Sequence, residues 1–309
     1  MTDAQPRVLV VGEALVDVVP DADGQPQDFP GGSPANVAIA LARLGREVRL
    51  VTLLGADDRG AAVRAWLEAS DVTVLSRPTA SGRTSSAAVT LDASGAASYV
   101  FDLDWHLDEV TETGDVLHVG SIATVLDPGA DAVLEAVRAH RGRALVSLDP
   151  NARPAITPDR AGPVARVEEL VTLSDVVKVS DEDLHWLHPD DDPVATATRW
   201  AGVGPGLVVV TRGGDGAVAL RPDGTTLEVP GVPVAVADTV GAGDTFSGVL
   251  VDALLGLGVR GGDDLRALSD RDVLGAVTTA AIGAAINVSR PGANPPSRAE
   301  LDAALGTGE

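Results

Sequence analysis

The sequence contains no cysteine, which excludes disulfide bonds and thiolate metal sites. Its five histidines are scattered along the chain without the spacing of metal ligands. Aromatic residues make up only 3% of the sequence, so a hydrophobic core has to be built from alanine, valine and leucine. Because 45% of the residues are hydrophobic, the chain still has enough apolar surface for a sizeable core.

Basic residues are scarce as well. The chain has 23 lysines and arginines against 45 aspartates and glutamates, which gives a formal net charge of −22 and a sequence pI of about 4.4. Such a chain repels nucleic acids and anionic membranes. We therefore expect neither of them as a partner.

Long hydrophobic runs are the third absence: none reaches the ~20 residues that a membrane-spanning helix needs. Residues 1–7 are polar and lead directly into a predicted strand, which predicts no signal peptide and a cytoplasmic protein. The length of 309 residues fits one large α/β domain. We find no internal repeat, low-complexity linker or second domain.

The hydrophobic pattern predicts strands that alternate with helices. An apolar run from Arg7 is typical of a buried parallel strand, and regular alternation favours a parallel sheet with helices on both faces. A pair of short strands around a polar turn at 92–95 predicts a hairpin. Further strands are predicted at 47–55, 115–121, 144–149, 175–180, 207–211, 217–220 and 226–236, and helices at 34–44, before Ala69, from Thr245 and at 270–288.

The most informative stretch is residues 238–246, DTVGAGDTF. A glycine turn at 241–243 precedes a helical pattern, and Asp244 stands at the start of that helix. Free N–H groups at a helix N-terminus attract anions, and a carboxylate beside them can take a proton from a hydroxyl. The simpler interpretation is an ordinary N-cap after a glycine loop. The stretch is neither a Walker A loop nor a complete dinucleotide fingerprint.

This stretch closely resembles the C-terminal signature of the ribokinase-like (PfkB) carbohydrate kinases. Residues 30–38, PGGSPANVA, resemble the N-terminal signature of that family. The resemblance implies a single domain over residues 1–309 with a ribokinase-like three-layer α/β/α sandwich around a central, mostly parallel sheet. It also implies a small β-sheet lid formed by strands near 13–19 and 84–102, which often pairs with the lid of a second subunit in a homodimer.

The activity implied by the resemblance is transfer of the γ-phosphoryl group of ATP to a sugar hydroxyl. Asp244 would act as the base, while the amides of Gly241, Ala242 and Gly243 would stabilise the transferred group. Mg²⁺ would bridge the phosphates. Because the acidic chain repels ATP at long range, binding has to depend on local N–H groups and this divalent cation.

The resemblance implies that residues from several parts of the chain bind the sugar. Each has a simpler interpretation: a surface aspartate, an exposed helix face, a surface salt bridge for Arg153, or packing of Phe101 on the core. The implied sugar-binding residues are Asp17, Gly32, Asn36, Phe101, Asn151 and Arg153.

The nucleotide site is implied by further matches to the family. The pattern Ser180-x-x-Asp183 stands where the family organises Mg²⁺ through water, and its simpler interpretation is a helix N-cap followed by acidic residues. Some members bind K⁺ near the segment matching Asp238, but Val240 and Pro296 depart from their pattern, which puts a K⁺ requirement in doubt. The implied ATP-binding residues are Lys178, Ser180, Thr211, Gly213, Gly216 and Asn287.

Fructose is the sugar that the sequence favours. Residues 149–154, DPNARP, resemble both the fructokinase and the 2-keto-3-deoxygluconate kinase branches. The keto-acid branch usually places an arginine shortly after a lid tyrosine, whereas Val100, Phe101 and Asp102 follow Tyr99 here. A nucleoside kinase, which needs more aromatic residues in the lid, and a non-catalytic sugar-binding protein are further possibilities.

Overall fold

A computed structural model describes residues 5–21, 23–91 and 97–306. Within these residues the strands form one large and one small sheet. The strands are β1 (Arg7–Val11), β2 (Leu15–Pro20), β3 (Pro26–Gly31), β4 (Glu47–Leu54), β5 (Val72–Pro78), β6 (Ser86–Leu91), β7 (Ala97–Asp102), β8 (Val116–Gly120), β9 (Leu145–Asp149), β10 (Val176–Ser180), β11 (Leu207–Thr211), β12 (Ala217–Leu220) and β13 (Thr226–Val229).

The large sheet runs in the order β13-β12-β11-β10-β9-β8-β1-β4-β5. In this spatial order, the seven strands from β11 through β1 to β5 run parallel to one another. Strands β12 and β13 pair in antiparallel fashion at the other end of the sheet. Valine and leucine dominate the central strands because helices cover both faces. The predicted parallel sheet is confirmed, although the strand predicted at 226–236 ends at Val229.

Helices pack on both faces of the large sheet, and each layer encloses its own hydrophobic cluster. Helix α9 has the predicted bounds, and α7 begins three residues earlier than predicted. In the described part of the chain the helices are α1 (Ser33–Arg43), α2 (Asp58–Glu68), α3 (Gly129–His140), α4 (Ala161–Leu173), α5 (Asp181–Leu187), α6 (Pro193–Ala201), α7 (Ala242–Gly256), α8 (Gly262–Ala267), α9 (Asp270–Val288) and α10 (Arg298–Leu305). None of the described helices is long and apolar enough to cross a membrane.

The small sheet has the order β3-β2-β6-β7 and contains the predicted lid strands. Strands β6 and β7 form the predicted antiparallel hairpin, but its turn at 92–95 lies outside the described residues. The sequence predicts lid strands only near 13–19 and 84–102, whereas residues 26–31 form a further strand, β3, which pairs with β2. The small sheet is therefore one strand larger than the sequence indicates.

Helices α1 and α7 lie side by side on one face of the large sheet. Their contact is close because Gly248 has no side chain: a Cβ atom there would lie 2.7 Å from the Cβ of Ala40. The two N-termini consequently meet beyond the carboxyl end of β9. This is the edge at which open α/β sheets bind their ligands.

Candidate active site

Asp244 lies in the first turn of α7 and is only 6% exposed. Three side chains donate hydrogen bonds to its carboxylate. Ser33 Oγ donates to Oδ1 and Asn36 Nδ2 to Oδ2, both at 2.7 Å, while Asn151 Nδ2 donates to Oδ1 at 3.2 Å. The carboxylate is thus fixed by α1 and by the loop that follows β9.

Ser33 followed by Pro34 is a sequence typical of a helix N-cap, but Ser33 does not cap α1. Gly32 occupies the N-cap position with a φ of 110°, and no side chain caps the helix. The hydroxyl of Ser33 instead donates to Asp244 and accepts a bond of 2.7 Å from Asn151 Nδ2. Ser33 is therefore a site residue that sequence reasoning missed, although it lies inside the N-terminal signature.

The surroundings of Asp244 act in opposite directions on its pKa. Burial is the largest influence and raises the pKa, whereas the hydrogen bonds from Ser33 and Asn36 lower it. The buried carboxylate of Asp149 raises it further and the charge of Arg153 lowers it, so that the pKa lies above its ordinary value. A carboxylate whose pKa is raised in this direction is a better general base while it stays ionised.

The glycine turn before α7 leaves its first amides without a side-chain cap. Gly241 has a left-handed φ of 73°, and a Cβ atom there would lie 2.6 Å from the Cβ of Ala293. At Gly243 a Cβ atom would lie 2.8 Å from Nζ of Lys178. Of the three predicted anion-binding amides, that of Ala242 donates to the Thr239 carbonyl at 3.2 Å.

Asn151 and Arg153 lie in the loop that follows β9, and Asn151 contacts Asp244 directly. Asn151 has a φ of 39°, which is a strained conformation for a residue other than glycine. The Arg153 guanidinium donates to Asn151 Oδ1 at 2.5 Å and to the Asn151 carbonyl at 3.2 Å. Arg153 is exposed and also acts electrostatically on Asp17 and Asp244.

Asp17 and Phe101 both lie on the small sheet. Asp17 pairs with Phe29 of β3 and with Ala87 of β6, and Ala87 pairs with Phe101 of β7. Directly paired residues share a face of a sheet, so Asp17 lies on the same face as the two phenylalanines. Burial raises the pKa of the Asp17 carboxyl, and the charge of Arg153 lowers it.

Lys178 lies in the middle of β10, and its ammonium is buried. Nζ contacts Asp149 Oδ2 at 3.0 Å, and Ser247 Oγ donates to the same oxygen at 2.9 Å. Among the described residues, the second carboxylate oxygen of Asp149 has no hydrogen-bond partner. Sequence reasoning did not select Asp149 or Ser247. Asp149 opens the stretch 149–154 and Ser247 directly follows the stretch 238–246, and other residues of these stretches were selected instead.

Ser180 and Asp183 form a capping box at the start of α5. Asp183 Oδ2 accepts the Ser180 N–H at 3.3 Å, and its Oδ1 accepts the Ala152 N–H at 2.8 Å. The described residues contain no group of three or more His, Cys, Asp or Glu side chains able to hold a metal ion. The contact of Asp183 with Mg²⁺ through water stays a prediction.

Thr211, Gly213 and Gly216 lie at the neighbouring part of the same sheet edge, whereas Asn287 lies near the end of α9. Thr211 is the register partner of Ser180, and Gly213 and Gly216 follow it in a turn with positive φ angles. Asn287 is fully buried: Nδ2 donates to the Val240 carbonyl at 2.8 Å, and Oδ1 accepts the Asn294 N–H at 2.8 Å. The Asn287 side chain thus holds the signature turn in place, and its assignment to the nucleotide stays a prediction.

The segment around Asp238 is also tied together by hydrogen bonds. Asp238 Oδ1 accepts the Val240 N–H at 3.0 Å, and Oδ2 accepts the Gly292 N–H at 2.8 Å. These bonds lower the pKa of the Asp238 carboxyl. These bonds join the segment before the glycine turn to the loop that follows α9. They do not test the expectation, based on Val240 and Pro296, that a K⁺ requirement is doubtful.

Glu13 is a further buried carboxyl group, between β1 and β2, that sequence reasoning did not select. Its Oε2 accepts the Ala123 N–H at 3.3 Å. Burial raises the pKa of Glu13 to about 7, although Ser121 and Arg153 act to lower it. The residue lies directly beneath the N-terminal signature, because a Cβ atom on Gly32 would lie 2.6 Å from the Glu13 carbonyl oxygen.

Known proteins share both this fold and much of this sequence. The fructokinase of Klebsiella pneumoniae is 35% identical over 296 residues, which cover 90% of this chain and 94% of that protein. The structure of Xylella fastidiosa fructokinase with bound ATP superposes with a TM-score of 0.85 at 27% identity, covering 97% of this chain and 99% of the second chain. These likenesses extend over the whole fold and do not rest on the signatures alone.

A second solved structure is a double mutant of the fructokinase of Vibrio cholerae O395, bound to fructose, ADP and a potassium ion. It superposes with a TM-score of 0.80 at 29% identity and covers 99% of this chain and 100% of its own. The profile of the pfkB family carbohydrate kinases matches residues 5–300. The match includes the buried aspartate, the glycine turn and both sheets, so this chain belongs to the pfkB family of carbohydrate kinases.

Proposed function

We propose that the protein is an ATP-dependent sugar kinase that transfers the γ-phosphoryl group to a hydroxyl of fructose. The observation that carries the proposal is Asp244, a buried carboxylate held by Ser33, Asn36 and Asn151 at the uncapped N-terminus of α7. A base and an anion-binding turn stand next to each other, as phosphoryl transfer requires. Relatives named fructokinases support the choice of sugar.

In this mechanism Asp244 accepts the proton of the attacking sugar hydroxyl. The amides of Gly241 and Gly243 would stabilise the negative charge of the transferred group, since charge-stabilising donors that are already in place need no reorganisation. The Ala242 amide would join them by giving up its bond to the Thr239 carbonyl. Mg²⁺ bound to the ATP phosphates would reduce their repulsion from the acidic chain. The sugar is oriented by Asp17, Asn36 and Arg153 together with the backbone around Gly32.

A neutral ketose fits the charges of the site better than a keto acid does. Arg83 donates to both carboxylate oxygens of Asp102, so this cation is already compensated. Arg153 is the cation that acts on Asp17 and Asp244. A substrate carboxylate would have to share Arg153 with both of them, and an uncompensated charge is costly to desolvate.

The function is tested by measuring ADP release with a coupled assay over five acceptors. These are fructose, 2-keto-3-deoxygluconate, ribose, tagatose phosphate and adenosine. We expect fructose to give the highest kcat/KM. If kcat/KM were highest for the keto acid or for adenosine, the protein would be a kinase with that acceptor as its substrate. Sugar binding without ADP release in the presence of any acceptor would identify a non-catalytic sugar-binding protein.

We also propose that the small sheet joins two subunits in a homodimer. Two apolar side chains on one face of it are exposed, Val19 at 38% and Phe29 at 54%, and Val100 on the other face is 58% exposed. Exposed apolar side chains grouped on one element are typical of interaction surfaces. Sedimentation equilibrium of the wild type and of Phe29→Ser tests this: the wild type should be dimeric and the variant should dissociate more readily. A monomeric wild type would refute it.

A further inference from the structure

A cleft of about 400 Å³ lies at the end of the large sheet opposite to Asp244. Its lining residues precede three of the parallel strands or follow α7, namely 141–144 before β9, 172–175 before β10, Gly204 before β11 and most of 260–266. From Ala144 to Asp149 an extended chain covers about 17 Å, so the length of β9 separates this cleft from the active site. Its volume is within the range of small-molecule sites.

Four arginines line the cleft, although the chain as a whole carries a net charge of −22. Two of them are held by backbone carbonyl groups. Arg260 Nη1 donates to the Val259 carbonyl at 2.8 Å, and Arg266 Nη2 donates to the Gly204 carbonyl at 2.8 Å. The protein therefore fixes the positions of two guanidinium groups at this cleft.

The other two arginines, Arg141 and Arg143, lie between α3 and β9 and are exposed. Within the described part of the chain, neither side chain makes a hydrogen bond or an ion pair. Guanidinium groups that line one cleft repel one another, and an anion bound between them relieves this repulsion. Arg141 and Arg143 are thus available to such an anion.

The carboxylates that line the cleft already have donors of their own. Asp175 Oδ2 accepts the Val146 N–H at 2.9 Å, Asp263 Oδ1 contacts Arg266 Nη1 at 3.1 Å, and Asp264 Oδ2 accepts the Arg260 N–H at 2.7 Å. Four arginines thus stand against three aspartates in the lining. The cleft is a locally positive site on a strongly acidic protein.

We propose that this cleft binds a small molecule through a phosphate group, at a site separate from the active site. Guanidinium groups suit this ligand because their planar forks bind phosphate oxygens through paired, charge-assisted hydrogen bonds. Arg260 and Arg266 would provide fixed contacts, and Arg141 and Arg143 would adjust to the ligand. A phosphate group alone does not fill a cleft of this size, which favours a phosphate ester over the free ion.

Isothermal titration calorimetry with glucose 6-phosphate, a phosphate monoester, tests the site. Fructose and β,γ-imido-ATP with Mg²⁺ are present throughout, so that the glycine turn at 241–243 is not available to the probe. We expect one bound molecule per chain and no binding of glucose, which lacks the phosphate. Inorganic phosphate, titrated in parallel, should bind more weakly than the ester.

A double variant, Arg141→Gln with Arg143→Gln, removes the two arginines that have no ion pair. It should raise the Kd for glucose 6-phosphate at least ~10-fold, because charge-assisted hydrogen bonds are lost. Arg49→Gln with Arg64→Gln, on β4 and α2, is the matched control that removes the same charge outside the cleft. Its Kd should stay within about threefold of the wild-type value, since distant exposed charges are screened.

Binding that is equally strong in the cleft variant, or equally weakened in the control, would overturn the site. Wild-type protein that binds neither phosphate with a Kd below about 1 mM would also overturn it, and ³¹P line widths of the same samples detect binding that releases no heat. Equal affinity for inorganic phosphate would support the phosphate contact and refute the ester. No outcome depends on turnover, so the proposed kinase function is tested separately.

Discussion

Glu13→Gln is expected to make the stability of the protein less dependent on pH. The Glu13 carboxyl is 5% exposed, and burial raises its pKa from 4.5 to about 7. A glutamine has the shape of the protonated carboxyl and cannot ionise. The variant therefore keeps the neutral form at every pH, whereas the wild type acquires a buried charge as the pH rises.

The sign and size of the effect follow from the two pKa values. Because the folded-state pKa lies above the unfolded one, the stabilisation is fully present below about pH 4.5 and is lost as the pH rises through about 7. The shift from 4.5 to about 7 corresponds to a total of about 3 kcal/mol. About 2 kcal/mol of this falls between about pH 5.5 and about pH 8.5, a range that avoids the sequence pI of about 4.4.

Urea denaturation of both proteins at several pH values across this range measures the effect. The free energy of unfolding of Glu13→Gln relative to wild type should increase by about 2 kcal/mol from the acidic to the basic end. Glu109→Gln, at an exposed position, is the control for removing one negative charge. A relative stability that stays constant within about 0.5 kcal/mol, or that decreases with pH, would refute the assignment of a buried neutral carboxyl.

Four further predictions concern the reaction. Asp244→Asn should bind nucleotide nearly as well as wild type but lower kcat by about 10²–10⁴; retention of more than about a tenth of the wild-type rate would show that Asp244 is not the base. Because the pKa of Asp244 is raised, wild-type kcat should fall on acidification at a higher pH than an ordinary aspartate would cause, which a pH–rate profile checks. Gly243→Val should weaken ATP more than fructose in equilibrium binding, since its methyl groups would meet Lys178 Nζ and block the phosphate. Wild type should prefer fructose to 2-keto-3-deoxygluconate in kcat/KM, and Arg153→Ala should lower the value for fructose; an unchanged value would remove Arg153 from the site.

The parts of the fold that the sequence predicts correctly are those decided by local signals. Helix α9 has the predicted bounds because Ser269 gives a strong N-terminal signal and an apolar face continues through the helix. The parallel strands are equally clear, since a strand covered on both faces requires continuous apolar residues. Asp244 can be selected from the sequence because the turn and the carboxylate are neighbours along the chain.

The errors arise where a distant contact decides the local structure. Strand β3 contains Pro26 and Pro30 and looks like a turn, but it pairs only with β2 at an edge of its sheet, where proline is tolerated. The chain after Val229 continues with prolines and Gly231, which packs against Gly214 and extends no strand. Both outcomes depend on partners that the local pattern does not contain.

Side-chain roles show the same limit. Ser33 followed by proline has the pattern of an N-cap, yet its hydroxyl is bonded to Asp244, a residue 211 positions away. At Ser180 the opposite occurs, and the local capping interaction suggested by the sequence is present in the structure. A motif therefore limits the possible roles of a residue, and the folded partner determines which role it takes.

The close packing of α1 on α7 at Gly248 has a practical meaning for enzyme engineering. Ser33 and Asn36 on α1 are tied to Asp244 on α7 by two bonds of 2.7 Å, so a shift of either helix would disturb these bonds. Asp17 and Phe101 belong to the small sheet, and Arg153 belongs to a loop. Attempts to change the sugar specificity of the enzyme should therefore randomise Asp17, Phe101 and Arg153 and leave the sequences of α1 and α7 unchanged.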